Sequence, residues 1–231
     1  MRIAVVMMVR DEADIIVKCL NHWKLLGVSD FYICDNGSVD STMFSLLAFM
    51  GGSGCNVTLS TSDKTNWPGR EVINGLKDRA IDDGCDWIFP ADADEFLQIP
   101  GYNNLAHMID ETRAKSGWGE LPYLNILPDG RRAWQRPQKK AFGLIGKGQM
   151  ICMGNHLVEG IEPTIKDHYC YYEHYSLRTY PQFKRKMENY MTAFSQNGFS
   201  DHPHAVDFHT WRVEGEAFLV RRWAELTGIE P

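Results

Sequence analysis

The feature that most constrains this chain is a repeated switch between two hydrophobic periods over its first 97 residues. Residues 3–9 form an unbroken apolar run, which is typical of a strand buried on both faces of a parallel sheet. Ile16, Leu20 and Trp23 then recur at helical spacing, and Gly27 stands where a helix would end. The pattern therefore predicts a β-strand followed directly by an α-helix.

The same switch occurs again further along the chain. "DFYICDNGSVDST" predicts a second strand and a polar turn, whose Ser38 or Asp40 caps a helix running to about Met50. "CNVTLST" predicts a third strand, "REVINGLKDRAIDD" a helix and "DWIFPAD" a fourth strand. Strands that alternate with helices of this length predict an α/β fold, Rossmann-like, with a mostly parallel sheet flanked by helices.

The alternation ends after residue 117, and the C-terminal half is elaborated differently. "QMICMGNHLVEG" predicts a strand and a turn, and "RTYPQFKRKMENYMTAF" predicts an amphipathic helix. Because 231 residues suffice for one sizeable core but not for two full ones, we expect a single domain over residues 1–231. Residues 1–100 would form its first half, and residues 101–231 would fold back over the sheet edge and complete the site.

Charge and cysteine content limit the classes of partner. The formal net charge is -6, so we expect no general attraction to nucleic acid or to anionic lipid. The six cysteines form no CxxC pair, which favours a reducing compartment. The N-terminal apolar run is too short for a signal peptide, and no segment approaches the length of a membrane span. We therefore expect a soluble, cytoplasmic protein.

Three polar stretches follow predicted strands, at residues 10–12, 35–40 and 92–95. In parallel sheets, ligands bind outside the carboxyl ends of the strands, so we expect these stretches to converge. Asp92 and Asp94 flank one small residue, and in an extended segment they would point the same way. Two such oxygen donors suit Mn²⁺ or Mg²⁺, which could meet both the carboxylates and a substrate diphosphate.

The quoted motifs also resemble a known family in combination. "MVRDEADIIVKCLNHWKLLGVSDFYICDNGSVDST" and "GREVINGLKDRAIDDGCDWIFPADADEFL" resemble the nucleotide-sugar-binding half of GT-A-type glycosyltransferases. They are most similar to the family-2-like group, in which one strand ends in a D-N-x-S-x-D turn and a later one in D-x-D-E-F. "HYSLRTYPQFKRK" resembles the His-Tyr segment and basic helix that follow the sheet in those enzymes.

The resemblance implies a GT-A-type fold and a role for each matched residue. Asp35 would hydrogen-bond the base of a nucleotide donor, Asp92 would reach the ribose or the metal, and Asp94 would bind the divalent ion. Arg70 would lie near the diphosphate. The loop after the first strand would line the nucleotide pocket with Arg10, Asp11 and Glu12. A metal beside the leaving phosphate would stabilise the charge that develops there, so deleting Asp94 should damage turnover more than folding.

Enzymes of this type often add a histidine to the metal or diphosphate. His156 in "MGNHLVEG" is the preferred candidate and His174 in "EHYSLRT" is the second; the alternative is that each is a core histidine bonded to backbone. His202, His204 and His209 either form a second metal cluster or belong to a polar loop.

An inverting transfer needs a carboxylate that deprotonates the acceptor hydroxyl. Glu120 and Glu159 are the candidates, because both fall between the D-x-D-E-F turn and the C-terminal helix; the alternative is that both are surface acids.

The basic residues of the second half fall into two sets. One set lies around Trp134 and would hold a phosphate or an anionic acceptor, or form a solvated hairpin: Arg131, Arg132, Arg136, Lys139 and Lys140. The other set, Lys184, Arg185 and Lys186, is expected on the exposed side of the C-terminal amphipathic helix, where charge is ordinary. Contact of that helix with a membrane-bound acceptor stays open.

The leading hypothesis is a metal-dependent glycosyltransferase that moves a sugar from a nucleotide-diphosphate donor, with UDP preferred, to a glycan or lipid-linked acceptor. Nucleotidyl transfer to sugar phosphates is an alternative, although "MVRDEAD" lacks the glycine-rich basic loop that such chemistry ordinarily uses. A non-catalytic module that binds nucleotide sugars is the third reading.

Overall fold

The computed structural model describes residues 1–62, 69–112, 118–141, 148–152, 157–159, 170–197 and 205–231. Within these ranges the chain forms two four-stranded sheets, one two-stranded sheet and the helices that flank them. The α/β fold class is as predicted. The division of one domain at about residue 100 stays a prediction.

The first sheet contains β1 (Ile3–Val9), β2 (Asp30–Asp35), β3 (Asn56–Thr61) and β4 (Trp87–Pro90). All of its strand pairs are parallel, and the order is β3-β2-β1-β4. The helices between these strands are α1 (Ile16–Leu25), α2 (Thr42–Gly52) and α3 (Gly69–Asp82). Each strand and helix predicted for this half is therefore confirmed, with ends that differ by a few residues at most.

Strand β1 is buried on both faces because helices cover both sides of the sheet. Val5 and Met7 pack in the same core cluster as α1, whereas Ala4 and Val6 pack in a second cluster with α3, and all four have no exposed surface. Burying each valine or methionine side chain stabilises the fold by about 1.5–3 kcal/mol. The unbroken apolar run of residues 3–9 follows from this double coverage.

The second sheet is mixed and accounts for the end of the alternating pattern. It contains β5 (Glu95–Gln98), β6 (Trp118–Ile126), β7 (Arg132–Ala141) and β10 (Tyr171–His174), in the order β5-β10-β6-β7. Strand β10 is antiparallel to β5 and parallel to β6. Helix α4 (Leu105–Thr112) and the antiparallel pair β8 (Ile151–Cys152) and β9 (Leu157–Val158) lie beside the two sheets.

Polar side chains of α3 hold the β8 segment. Asn74 donates to the carbonyl of Ile151 at 2.8 Å and accepts from its amide at 2.9 Å, and the buried Lys77 donates to the carbonyl of Gln149. These bonds satisfy backbone groups that would otherwise be buried without partners. The contact fixes the residue 148–152 segment against the first sheet's helical layer.

The C-terminal helices are α5 (Tyr180–Asn197), α6 (Ala205–Glu214) and α7 (Glu216–Thr227). Phe183 of α5 packs against Leu219 and Trp223 of α7 in a separate small core. Among the described helices, none is both long enough and apolar enough to cross a membrane. The six cysteines are all described, and none forms a disulfide.

Candidate functional site

The polar loops after β1, β2 and β4 meet at one edge of the first sheet, as the sequence predicts. Val9 lies opposite Asp35 in the parallel register, and Val6 lies opposite Pro90. The backbone amide of Asn36 continues the pairing by donating to the carbonyl of Val9 at 2.8 Å. Strands β1 and β2 therefore end at the same level, β4 ends three residues earlier, and the three loops follow the same edge of the sheet.

Asp11 joins the loop after β1 to the loop after β2. Its Oδ1 accepts from the amide of Val39 at 2.7 Å, and its own amide donates to Ser38 Oγ at 2.9 Å. The φ angle of Asp11 is 55°, a left-handed conformation that is uncommon outside glycine. Such a conformation persists where the surrounding contacts fix it. Asp11 is 6% exposed and thus organises the loops from the inside.

Asp35 is held by its own turn. Its Oδ1 accepts from the amide of Ser38 at 3.0 Å and from Ser38 Oγ at 2.6 Å, and the residue is 4% exposed. Aspartate side chains commonly stabilise turns by bonding backbone groups a few residues further along. One carboxylate oxygen of Asp35 is therefore committed to the fold of the loop.

The segment at Asp92 and Asp94 is a turn and not an extended strand end. The amide of Glu95 donates to the carbonyl of Asp92 at 3.2 Å, which closes a four-residue turn. The alternation argument for two parallel carboxylates was therefore wrong, because it holds only in extended backbone. Asp94 is buried at 5% exposure, whereas Asp92 is half-buried.

Basic side chains from the second half of the chain surround the Asp94 carboxylate. Lys186 Nζ lies 2.9 Å from Asp94 Oδ2, with Arg178 Nη1 at 3.8 Å and His174 Nε2 at 3.9 Å. Burial alone would raise the pKa of Asp94, but Lys186, His174 and Arg178 hold it well below its usual value. The pKa of Lys186 is raised, since the charge of Asp94 outweighs the effect of burial. Asp94 is therefore ionised and opposed by protein cations.

Arg178 connects this turn to the loop after β1. It donates to Glu12, to Asp14 Oδ2 at 2.7 Å and to the carbonyl of Tyr175 at 3.0 Å. Burial and the nearby charge of Asp94 raise the pKa of Glu12 to about 7, although Arg178 opposes the shift. Glu12, whose pKa is raised, and Asp94, whose pKa is lowered, therefore both lie beside the guanidinium of Arg178.

Helix α5 covers the sheet edge with one polar face. Besides Lys186, Asn189 donates to Asp11 Oδ2 at 2.8 Å and Arg185 lies 3.5 Å from Asp40 Oδ2. The expectation that Lys186 lies on the exposed side was wrong. Phe183 turns the apolar face of α5 toward α7, and this rotation directs Lys186 and Asn189 to the sheet edge. Their i, i+3 spacing forms a second, polar stripe that the sequence analysis missed.

The other candidate residues contact each other or fall outside the described residues. Arg70 Nη2 donates to both carboxylate oxygens of Glu159, at 2.9 and 3.0 Å, and both side chains are about half exposed. Glu120 belongs to β6, and its side chain falls outside the described residues, as does all of His156. His174 accordingly is the described candidate histidine beside Asp94, and its Nδ1 lies 3.0 Å from Asn125 Oδ1.

The remaining predicted clusters are only partly described. Arg131 pairs with Asp129, and Arg132 lies 3.5 Å from Glu173. The side chains of Trp134, Arg136, Lys139 and Lys140 fall outside the described residues, as do His202, His204 and the side chain of His209. Both interpretations of these sets stay predictions.

The donor chemistry of the cluster fits a divalent ion. Asp94, Glu12 and Asp14 supply hard oxygen donors around Arg178 and Lys186, and Asp92 lies two residues before Asp94. Lys186 already occupies Asp94 Oδ2, so an ion on this carboxylate would compete with the ammonium. Within the described part of the chain, no preformed group of three or more ligands is present.

No protein-family profile and no curated protein sequence matches this chain. Solved structures do match. The TarS 1-349 fragment from S. aureus, in complex with UDP, is 14% identical with a TM-score of 0.46, over 97% of this chain and 72% of that one. The match to a longer S. aureus TarS structure has 13% identity and a TM-score of 0.45, and this chain covers 44% of it.

A second matching protein is glucosyl-3-phosphoglycerate synthase from Mycobacterium tuberculosis, in complex with Mn²⁺, UDP and glucosyl-3-phosphoglycerate. It is 18% identical with a TM-score of 0.34, over 53% of this chain and 44% of that one. At these identities and TM-scores the similarity assigns no chemistry to this chain, so its function is inferred from its own residues.

Proposed function

We propose that this chain is a glycosyltransferase that uses a nucleotide-diphosphate sugar, preferably a UDP-sugar, and a divalent ion, Mn²⁺ or Mg²⁺. The observation that supports it is the meeting of three polar strand-end loops with a buried cluster of acids and bases at one sheet edge. The sequence motifs that resemble GT-A enzymes fall on these same loops. The acceptor is proposed to carry a hydroxyl group, on a glycan or on a lipid-linked molecule.

Buried polar atoms beside β1 and β2 support a ligand at the proposed nucleotide pocket. Asn36 Oδ1 and Arg10 Nε are buried without a hydrogen-bond partner among the described residues, and Asn36 is 3% exposed. An unpaired buried polar group costs about 1–3 kcal/mol. A nucleobase and ribose offer both donors and acceptors, so their binding would satisfy these atoms. Asp35 is proposed to complete this pocket.

The Asp94 cluster is proposed to handle the charge of the leaving group. As the bond between sugar and diphosphate breaks, negative charge grows on the terminal phosphate, and fixed positive charge near it lowers the barrier. Asp92 and Asp94 would hold the divalent ion, which supplies Lewis-acid stabilisation of that phosphate when bound. Arg178 would hold Glu12 and the Asp94 turn in fixed positions relative to each other. Glu120 and Glu159 stay the candidates for the general base.

The proposed location is the cytoplasm, since six unpaired cysteines suit a reducing compartment. The proposal includes contact with a membrane only where the acceptor itself is membrane-bound.

The direct test is release of free nucleoside diphosphate from a panel of UDP- and GDP-sugars, with Mn²⁺ and a mixture of hydroxyl acceptors. Release of UDP that depends on the chain and on the sugar supports a transferase. Binding of UDP without release from any sugar would instead favour the non-catalytic module. Release of pyrophosphate from a nucleoside triphosphate and a sugar phosphate would favour nucleotidyl transfer.

A further inference from the structure

We infer that Lys186 is an exchangeable counter-ion, which neutralises Asp94 in the free protein and moves to the diphosphate when donor and divalent ion bind. This inference rests on the proposed function, because it assigns Lys186 a role within the same site. It adds a step that the motifs did not indicate: Lys186 competes with the divalent ion for Asp94 until a diphosphate is present.

The competition follows from the distances. Lys186 Nζ is 2.9 Å from Asp94 Oδ2, and a divalent ion is held by carboxylate oxygens at about 2.1 Å. An ion on that carboxylate would therefore lie within a few ångströms of the ammonium. At that separation a single and a double positive charge repel each other strongly in a partly buried site. Lys186 and the ion do not share the carboxylate in this arrangement.

Lys186 is also the cation of the cluster with room to leave. Its side chain is 27% exposed, compared with 9% for Arg178 and 7% for Asp94. Arg178 is tied to Glu12, Asp14 and a backbone carbonyl, so its position is fixed by several bonds. An ammonium group has three N–H donors on a flexible stem and can turn from a carboxylate to a phosphate.

Charge balance gives the exchange its direction. The ion pairs of the cluster join Arg178 and Lys186 to three carboxylates, and withdrawal of Lys186 would leave Asp94 without its nearest counter-ion. The free protein therefore keeps Lys186 on Asp94. A diphosphate brings the negative charge that draws Lys186 away, and the vacated carboxylate is then available to the ion. Ion and diphosphate should consequently bind with strong mutual reinforcement.

The experiment is calorimetric titration of Mn²⁺ alone, and of UDP in the presence of Mn²⁺, into the full chain. Four proteins are compared: the wild type, Lys186→Met, Lys186→Arg and Lys184→Met. Lys184 is the matched control, because it lies on the same helix and pairs with Glu216 at the surface. Thermal melts of each protein verify that it is folded.

Lys186→Met should bind Mn²⁺ alone at least about tenfold more tightly than the wild type, because the competitor is gone, and should bind UDP with Mn²⁺ at least about tenfold more weakly. Lys186→Arg should keep the weak binding of Mn²⁺ alone, since it keeps the positive charge. Lys184→Met should match the wild type in both titrations.

Unchanged affinity of Lys186→Met for Mn²⁺ alone would overturn the competition. An equal gain in Mn²⁺ affinity for Lys184→Met would also overturn it, because the gain would then come from removing any surface charge. Unchanged affinity for UDP would overturn the transfer of Lys186 to the diphosphate. If Lys186→Met does not fold, Lys186→Arg decides: a gain in affinity for Mn²⁺ alone overturns the competition, and weak binding supports it. Failure of both UDP and GDP to bind the wild type with Mn²⁺ refutes the proposed function itself, whichever affinity for Mn²⁺ alone is found.

Discussion

Two corners of the same sheet edge treat a buried aspartate in opposite ways. At the Asp35 corner the carboxylate accepts from Ser38, three residues away, and both bonds come from neutral groups. At the Asp94 corner the carboxylate meets Lys186, 92 residues away, together with Arg178 and His174. The first corner is a turn that stabilises itself, whereas the second exists only when the two halves of the chain are assembled.

The difference indicates what each corner is suited to do. Neutral donors satisfy Asp35 without cancelling its charge, so it can hold one fixed shape and still face a polar ligand. Charged partners at Asp94 can be exchanged for other cations. A rigid recognition corner beside an exchangeable charged corner is what binding of a nucleoside and its diphosphate requires.

The largest expected effect separates the two corners by the same substitution. Asp94→Asn leaves Lys186 without its nearest counter-charge, and breaking a buried ion pair in this way typically costs about 3–5 kcal/mol. Asp35→Asn keeps an acceptor for Ser38 and should cost less than about 1.5 kcal/mol. Denaturant unfolding of both variants measures the contrast. Equal losses of stability in Asp94→Asn and Asp35→Asn would contradict the proposed difference between the two corners.

The next effect concerns the bridge between the loop after β1 and the Asp94 turn. Arg178→Gln removes the cation shared by Glu12, Asp14 and Asp94, and we expect a loss of about 2–4 kcal/mol in unfolding free energy. Arg185→Gln is the control, since its side chain is 45% exposed and has one ion pair at 3.5 Å; surface pairs contribute about 0–1 kcal/mol. A loss as large for Arg185→Gln would contradict this account of the bridge.

A smaller effect tests the self-contained turn. Ser38→Ala removes the hydroxyl that donates to Asp35 and accepts from the amide of Asp11, and we expect a loss of about 1–2 kcal/mol. Ser41→Ala is matched in chemistry, but Ser41 precedes α2 without a side-chain capping bond, so it should be nearly neutral. Thermal melts of the two variants give the comparison, and a reversed order would refute it.

The last effect is a dependence on pH. The pKa of Glu12 is raised to about 7 in the folded chain, from 4.5. A raised pKa contributes stability that is complete below the unfolded value and is lost as the pH rises toward the folded value. Between pH 4.5 and 7 the wild type should therefore lose melting temperature relative to Glu12→Gln, by roughly 5–10 °C. Melting curves at pH 5 and pH 8 test the sign, and the exposed Glu188→Gln should follow the wild type.

The sequence predicts those structural features that depend on residues close together along the chain. The apolar run of residues 3–9, the helical spacing of Ile16, Leu20 and Trp23, and the stop at Gly27 all appear in the structure, where Gly27 has a φ of 98°. The meeting of three strand-end loops also followed from the parallel topology alone. These features need only local periodicity and the rule for parallel sheets.

The contacts of Asp94 could not be predicted in the same way. Lys186 is one of three adjacent basic residues, and the rotation of α5 that selects it depends on the packing of Phe183 against α7. The expectation that Asp92 and Asp94 point the same way assumed extended backbone, and the turn at Asp92 is not extended. The sequence identified the acidic residues, but which basic side chains pair with them depends on tertiary packing.

The central claim is that this sheet edge binds a nucleoside diphosphate, and titration of UDP into the wild-type chain with Mn²⁺ tests it most directly, with EDTA and uridine as the comparisons. We predict saturable binding of one UDP per chain with Mn²⁺, at least about tenfold weaker binding with EDTA, and weaker binding of uridine, which lacks the phosphates. Absence of binding by both UDP and GDP with Mn²⁺ would contradict the account.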